Sequence, residues 1–351
     1  MAIKKIKILV IDDSPLARKF LKDLLDSHPM FEVLGAAADP YLAAQIIKQV
    51  VPDVITLDLE MPKMNGLTFL KVLMSQKPIP VVIVSSLSEN NKKTVLKALE
   101  LGAVSVIQKP NLQAVQHKDH EYRIRLIDSI AAAAQSKLSV ISKSKRQREV
   151  VKSCSKSTAK AASIPPHADG VVVIGASSGG TEAIKQILAK LDQNCPPIAI
   201  VQHMPENFTK PFADRLNEVC KIEVREAVHG EELTTGCALI APGNRHMHLR
   251  KHNGVYVVHL TNGPLVNRHK PSVDVLFESA AQLEGNLVRA ILLTGMGKDG
   301  AQGMLALRKA GAFTVAQDEA SSVVFGMPKE AIEIGAASKV LPLDEIATVI
   351  N

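Results

Sequence analysis

The sequence predicts an α/β protein made of two doubly wound, mainly parallel-sheet domains joined by a flexible linker. In both halves, short unbroken apolar runs alternate with amphipathic stretches of helical spacing, and a basic, serine-rich segment separates the halves. Unbroken apolar strands are typical of parallel sheets covered by helices on both faces. The length of 351 residues and the hydrophobic content of 46% suffice for two domains with their own cores.

The predicted linker spans residues 138–168. It holds seven Lys and Arg, one acid and seven Ser, and so carries most of the net charge of +7. Such a composition is typical of a solvated tether, and a nucleic-acid-binding role of this segment stays open as the alternative. The linker sets the predicted domains at residues 1–137 and 169–351.

Composition and run lengths also bear on location and partners. Aromatic residues make up 3% of the chain and Trp is absent, which argues against stacking platforms for single-stranded nucleic acid. No apolar run approaches the roughly 18 residues that a membrane span needs, and the N-terminus lacks the apolar core of a signal peptide. We therefore expect a cytoplasmic protein with no membrane insertion and no nucleic-acid partner.

Polar residues follow each apolar strand of the first domain. The strands are predicted at residues 6–11, 54–57, 81–84 and 104–107, and the residues that follow them are Asp12, Asp13, Asp58, Ser85 and Lys109. Carboxyl ends of parallel strands share one edge of a sheet, so these side chains should converge. Clustered carboxylates suit Mg²⁺, and a lysine beside them can hold a phosphoryl oxygen.

In this order, the residues make the first half similar to the receiver domain of two-component response regulators, over residues 1–125. The resemblance implies a flavodoxin-like fold, phosphorylation of Asp58 in "LDLEMPKMNG", and a histidine kinase as phosphodonor. It also implies a switch role for Ser85 and Lys109, and Mg²⁺ for phosphorylation, held by Asp12, Asp13, Asp58 and the backbone of Glu60. The alternative is a flavodoxin-like binding domain that is not phosphorylated.

The second domain opens on a glycine-rich turn, "GASSGG", after the strand predicted at residues 171–174. A phosphate loop would need lysine where Thr181 stands, and a dinucleotide loop would need glycine where Ser177 stands. The turn does satisfy G-x-S-x-G between a strand and a helix, which exposes a serine nucleophile in hydrolases. Capping of the following helix by Ser177 or Ser178 is the structural alternative.

A nucleophilic serine needs a base and an orienting acid. Further strands are predicted at residues 198–201, 238–241, 288–293 and 312–316, with a hairpin around Gly254. Strand ends favour His203 and Asp299 as partners of Ser177. Judged by position alone, other candidates for the base remain, namely His246, His248, and His269 with Asp274. A purely structural role for each histidine also remains open. The chain order Ser, His, Asp differs from that of α/β-hydrolases.

The motifs "GASSGGTEAI", "QHMP", "APGNRHMHL", "GPLVNRHKPSVDVLF", "LTGMGKDGAQGM" and "VVFGMPKEAI" resemble the catalytic domain of the chemotaxis protein-glutamate methylesterases. The resemblance implies a Rossmann-like hydrolase with no cofactor for ester hydrolysis. It assigns Ser177 as nucleophile, His203 as base and Asp299 as orienting acid, and it places Met296 and Ser178 near the oxyanion site. Ser178 and Lys298 stand where Thr and Asn are expected, which leaves the details of oxyanion support open.

The same resemblance implies the biological role. Phosphorylation would activate demethylation of glutamate methyl esters, and deamidation of glutamines, on cytoplasmic regions of methyl-accepting chemoreceptors, giving sensory adaptation in chemotaxis. In the unphosphorylated protein the receiver would block the catalytic rim. The alternative from another class is a non-enzymatic response regulator whose second domain binds a protein or a nucleotide.

Overall fold

The computed structural model describes residues 5–86, 89–110, 119–138 and 170–350. The chain divides into two compact units, residues 1–138 and 139–351. The predicted linker, except for Leu138, lies outside the described residues, so its boundaries and tether role stay predictions. Within the described parts of the chain, every helix is too short or too polar to cross a bilayer.

The first unit is a five-stranded parallel sheet with helices between its strands. Its elements are β1 (Ile6–Ile11), α1 (Pro15–Asp26), β2 (Phe31–Ala37), α2 (Pro40–Gln49), β3 (Val54–Leu57), α3 (Gly66–Gln76), β4 (Val81–Ser85), α4 (Glu89–Leu101), β5 (Ser105–Gln108) and α5 (Asp119–Ala134). The strand order β2-β1-β3-β4-β5 is that of flavodoxin-like folds. Strand β1 lies inside the sheet between β2 and β3, and its residues Ile8–Ile11 are buried, which explains the apolar run at these positions.

The second unit is built on a seven-stranded sheet. Its elements are β6 (Val171–Ala176), α6 (Gly180–Leu188), β7 (Ile198–Gln202), α7 (Thr209–Val219), β8 (Glu223–Glu226), β9 (Glu232–Leu233), β10 (Cys237–Ile240), β11 (His246–His252), β12 (Val255–Thr261), α8 (Val273–Ala280), β13 (Val288–Leu292), α9 (Ala301–Lys309), β14 (Phe313–Gln317), α10 (Met327–Glu333), β15 (Lys339–Leu341) and α11 (Leu343–Ile346).

The order of this sheet is β15-β14-β13-β6-β7-β10-β8, and every pairing in it is parallel. The chain runs from β6 outward through β7 and then returns to the other side of β6 with β13. Ligands of open α/β sheets bind at the carboxyl ends of strands where the order reverses in this way. The β13-β6-β7 edge is therefore the expected position of a site.

Strands β11, β12 and β9 form a separate antiparallel sheet of three strands. Asn253 and Gly254 make the turn of its hairpin with φ of 51° and 84°, as a two-residue hairpin turn requires. Buried residues of this sheet, Met247, Leu249 and Val258, pack in one core with α8 and α9.

The predicted fold class is confirmed by the two parallel sheets. Strands β2, β8, β9 and β15 escaped prediction because they are short or at sheet edges. In β2, "FEVLGAA" carries a glycine and intermediate positions, so its apolar run is broken. In β8, "EVRE" buries a single residue, Val224.

Candidate active site

Ser177 follows β6 at the edge where β13, β6 and β7 end together. Its backbone N–H donates to Thr294 O (3.0 Å), and its carbonyl accepts from Gly180 N–H (2.7 Å). The Gln202 side-chain amide also donates to that carbonyl at 2.9 Å. Helix α6 begins at Gly180 with Gly179 as its N-cap residue, at φ 78°. The serine turn is thus fixed through backbone bonds, and the N-cap position falls to a glycine rather than to either serine.

His203 stands beside this turn because it follows the neighbouring strand. Its N–H donates to Ala176 O at 3.0 Å, and Gln202 Nε2 bridges Ser177 O and His203 O. The imidazole Nε2 lies 2.8 Å from Asp299 Oδ2. Since a carboxylate accepts, Nε2 donates in this contact, and in the neutral imidazole Nδ1 is then the nitrogen with the lone pair. Nδ1 is buried and has no hydrogen-bond partner among the described residues, as suits a base that awaits a proton.

Asp299 is the most heavily bonded side chain of the site. The donors to its two oxygens are Asn267 Nδ2 (2.8 Å), Ser272 Oγ (2.7 Å), Val273 N (2.6 Å), Asp274 N (3.2 Å) and His203 Nε2 (2.8 Å). Two of these are backbone N–H groups at the start of α8, where the helix dipole favours an anion. Burial raises the pKa of Asp299, but these hydrogen bonds and the imidazole lower it by more, so the net shift is downward. Asp299 therefore stays ionised and holds His203 in one tautomer.

A second buried carboxyl group, that of Asp274, lies behind Asp299. It accepts from Gly303 N–H at 2.7 Å and from Asn267 Nδ2 at 2.7 Å. Burial, and then the charge of Asp299, raise its pKa to about 6, against the effect of those hydrogen bonds. Neither the bridging amide of Asn267 nor the Ser272 hydroxyl is among the predicted site residues.

The other histidines considered as the base lie in surroundings that differ from those of His203. His246 is buried and bridges two backbone groups, since its Nε2 bonds Pro264 O at 2.7 Å and its Nδ1 accepts from Ser272 N at 3.2 Å. His248 bonds Thr261 on the solvent-facing side of the small sheet. The ring of His269 stacks on that of His203, with centroids 3.7 Å apart and planes 13° apart. His203, by contrast, contacts a buried carboxylate, that of Asp299.

The loop after β13 closes the site from the other side. A Cβ on Gly295 would lie 2.7 Å from Ser177 Cβ and would meet Met327 Sδ, so glycine is required there. Met296 follows at once, and Lys298 is exposed beside Asp299. Ser178 is buried, and its carbonyl lies 2.9 Å from Thr294 Oγ1. Oxyanion roles for Met296 and Ser178 stay predictions.

The first unit carries a separate cluster at the carboxyl ends of β1, β3 and β5. The carboxylates of Asp12, Asp13 and Asp58 each place one oxygen within 4.8 Å of the other two. Among the described residues this is the one group of three such side chains that could hold a metal ion. Lys109 Nζ lies 2.7 Å from Asp12 and 2.6 Å from Asp58. Ser85 is fully buried at the end of β4, next to Lys109, whose N–H donates to Ser85 O.

The electrostatics of this cluster favour a cation. Burial raises the pKa of Asp58; the Lys109 ammonium counteracts this, and the charge of Asp12 adds to it. Burial lowers the pKa of Lys109, but hydrogen bonds to the two carboxylates raise it by more. Three carboxylates against one lysine leave excess negative charge, which fits Mg²⁺ with its preference for oxygen ligands. Glu60 N–H donates to Asp58 Oδ1 at 3.3 Å, which places the Glu60 backbone at this cluster.

Family models match both units. Residues 172–350 match the CheB methylesterase model, which is half of the chain, and residues 8–118 match the response regulator receiver domain. The chain belongs to the CheB methylesterase family. The family match covers all the residues that surround Ser177, His203 and Asp299.

Relatives with the same two-part organisation support this membership. A protein-glutamate methylesterase/protein-glutamine glutaminase of Geobacter metallireducens is 50% identical over 351 residues, covering 98% of each chain. One of Rhodospirillum rubrum is 50% identical and covers 98% of this chain and 97% of its own. The crystal structure of the Thermotoga maritima CheB methylesterase catalytic domain is 41% identical, covers 51% of this chain and 95% of that domain, and has a TM-score of 0.50.

Within this CheB-family site, sequence reasoning overlooked Asn267, Ser272 and Thr294. A signal existed for Ser272, because "SVDVLF" reads as a helix start, and helix N-termini bind anions such as the Asp299 carboxylate. Asn267 and Thr294 carried no such signal. Their partners lie 32 and 116 positions away along the chain, so that only the folded arrangement reveals them.

Proposed function

We propose that the second unit is a serine hydrolase that cleaves glutamate γ-methyl esters, and deamidates glutamines, on the cytoplasmic parts of methyl-accepting chemoreceptors. The relatives' names state both activities for those proteins. The role proposed here is sensory adaptation in chemotaxis, carried out in the cytoplasm. Ester and amide substrates share an acyl carbon, so that one nucleophile serves both.

In the proposed first half-reaction, Ser177 Oγ attacks the ester carbonyl carbon while His203 Nδ1 takes the hydroxyl proton. The tetrahedral intermediate collapses, the C–O bond to the methoxy group breaks, and His203 returns the proton so that methanol leaves. Asp299 stabilises the imidazolium that forms in between. The product is a glutamyl ester of Ser177.

In the second half-reaction, water attacks the acyl carbon and His203 again takes a proton. Breakage of the bond to Ser177 Oγ releases the glutamate carboxylate and restores the serine. With glutamine the first leaving group is ammonia. Backbone N–H groups near the start of α6 and in the loop at Met296 are the expected support for the oxyanion.

The observation that carries this proposal is the arrangement of His203. One ring nitrogen bonds a buried carboxylate at 2.8 Å, while the other is buried and has no hydrogen-bond partner among the described residues. Backbone and Gln202 bonds hold this imidazole beside the serine turn. A binding module has no need of an acceptor nitrogen kept buried in this way.

The test is methanol release from methylated receptor, together with labelling by a fluorophosphonate. We expect Ser177→Ala to lose both, with a drop in rate of about 10³-fold or more. Ser75→Ala is the matched control and should still be labelled, because Ser75 is exposed on α3 of the first unit and its hydroxyl donates to Val72 O. Wild-type methanol release by Ser177→Ala would refute the mechanism, and absence of labelling in phosphorylated wild-type protein would favour a binding role for the domain.

We further propose that phosphorylation of Asp58 by a histidine kinase activates this hydrolase. Mg²⁺ would be held by Asp12, Asp13, Asp58 and the Glu60 carbonyl, and when bound it neutralises charge on the phosphoryl group. Lys109 would bind a phosphoryl oxygen and Ser85 would take up the switch position. The support is the convergence of three carboxylates and one lysine in a unit that matches receiver domains.

Activation is tested with a small-molecule phosphodonor. We expect Asp58→Asn to keep basal hydrolysis and to lose the increase that the phosphodonor gives in wild type. Asp53→Asn is the control, since Asp53 lies at the opposite end of β3 and accepts from Lys7 N. Equal activation of Asp58→Asn and wild type would disprove the role of Asp58 without affecting the hydrolase proposal.

A further inference from the structure

One side-chain amide lies between two buried carboxyl groups behind His203. Asn267 Nδ2 donates to Asp299 Oδ1 at 2.8 Å and to Asp274 Oδ2 at 2.7 Å. Asp274 is 4% exposed and Asp299 is 1% exposed, so little water screens them from each other. The bridging amide thus uses both of its N–H bonds to fix the positions of the two carboxyl groups relative to each other.

Local structure fixes the amide in place. Val266 and His269 pair through two backbone hydrogen bonds, and the two residues between them, Asn267 and Arg268, have φ of 50° and 69°. Positive φ at both central positions is the mark of a type I′ turn, for which asparagine is a preferred residue. The same turn delivers His269, whose ring stacks on the imidazole of His203.

The ends of this loop are also held. Buried His246 bonds Pro264 O and Ser272 N, and so links the residues before and after the turn. Asn244 N–H donates to Lys270 O. Asn267 is therefore carried on a well-anchored loop, and its position relative to Asp299 is set by the fold.

We infer that Asn267 and Asp274 are positioning residues of the hydrolase, which fix the orientation and the effective charge of Asp299 and, through it, the basicity of His203. The inference rests on the proposed function. It adds a polar chain from Asp274 through Asn267 to Asp299 behind the three predicted catalytic residues.

The groups that face Asp274 come from four segments of the chain. They are Asp299 from the loop after β13, the Gly303 N–H from α9, Asn267 from the turn, and Glu278 from α8, the helix of Asp274 itself. The negative neighbours and burial raise the pKa of Asp274 to about 6, so this group gains its charge near the pH where an imidazole titrates. Its charge and the His203–Asp299 pair are then coupled.

Two variants should move the basicity of His203 in opposite directions. Asn267→Ala removes a hydrogen bond to Asp299 and the amide dipole between the two carboxyl groups, so that more uncompensated negative charge lies next to the His203 ring and the acid limb of the pH profile should move to higher pH. Asp274→Asn removes a negative charge behind Asp299, so the acid limb should move to lower pH. We expect shifts of about half a pH unit or more, because the buried carboxyl groups of Asp274 and Asp299 are poorly screened by water.

The experiment measures the pH dependence of kcat/KM on methylated receptor. The acid limb should move to higher pH in Asn267→Ala and to lower pH in Asp274→Asn. The kcat of Asn267→Ala should fall about 10-fold or more, as for loss of a hydrogen bond to a charged group, with KM nearly unchanged. Asn262→Ala is the control, since Asn262 lies in the same loop and bonds Lys270.

The rate of fluorophosphonate labelling against pH gives a second readout. In that reaction Ser177 Oγ bonds to phosphorus, fluoride leaves, and His203 takes the serine proton, so the receptor is not needed. The position of the acid limb does not depend on how much of a variant is folded. Shifts of the acid limb in opposite directions for the two variants, in both assays, support the inference. Acid limbs at the wild-type pH, or shifted in the same direction in both variants, overturn it. Absence of ester hydrolysis by wild type with intact labelling would instead count against the proposed substrate.

Discussion

Asp299→Asn should separate the effect of the charge of Asp299, the proposed third catalytic residue, from the effect of its shape. Each Asp299 oxygen accepts from at least two donors, which are Val273 N and His203 at Oδ2 and three groups at Oδ1. An amide keeps the volume but turns one oxygen into an N–H₂ group. That group then faces at least two N–H or O–H donors, whichever way the side chain is placed.

The favourable placement directs the new N–H₂ towards His203. The imidazole must then accept at Nε2 and carry its proton on Nδ1, which removes the base that Ser177 needs. A wrong tautomer of this kind lowers the rate of hydrolysis about 10⁴-fold. The displaced Val273 N–H and the lost charge-assisted bonds cost about 2–4 kcal/mol of folding stability.

The assays are methanol release, fluorophosphonate labelling and urea unfolding. Asp318→Asn is the matched control, because Asp318 Oδ1 accepts from Ser321 and an asparagine oxygen can do the same. Its rate should stay within about twofold of wild type, since surface changes of this kind have small effects. A rate of Asp299→Asn within tenfold of wild type would show that the carboxylate does not set the tautomer of His203.

Two further predictions concern stability. Gly295→Ala should lose about 1–3 kcal/mol and most of its activity, because the new Cβ would meet Ser177 and Met327, whereas Gly263→Ala, with 3.5 Å to its nearest atom, should behave like wild type in urea unfolding. The second concerns Asp274, whose pKa is raised to about 6 in the folded state. Between about pH 4 and 6 the folded protein therefore binds more protons than the unfolded chain. This group's contribution to the free energy of unfolding increases as the pH falls through 6 towards 4. In Asp274→Asn that component of the pH dependence should vanish, and an unchanged profile would show that Asp274 has an ordinary pKa.

Much of the fold could be predicted from local patterns. Strands β1, β6, β7 and β13 lie inside their sheets and most of their residues are buried, so their sequences are largely apolar and alternate with amphipathic helices. Edge strands such as β8 and β15 bury few side chains and leave no such pattern. Their existence depends on pairing with β10 and β14, which is information held elsewhere in the chain.

For the site, the strand pattern predicts which strand ends carry the candidate catalytic residues. Ser177, His203 and Asp299 each follow an apolar run, and parallel strands bring their carboxyl ends to one edge of a sheet. Position alone left His246, His248 and His269 as rivals, because sequence does not say which strands are neighbours.

The folded chain shows where each of these histidines lies. The order β13-β6-β7 brings His203 to Asp299, places His246 between two backbone groups, and stacks His269 on His203. It also gathers Asn267, Ser272 and the first turn of α8 around one carboxylate. A buried charge needs several donors, and donors that lie far apart in sequence meet only when the loops between the strands have folded onto one another.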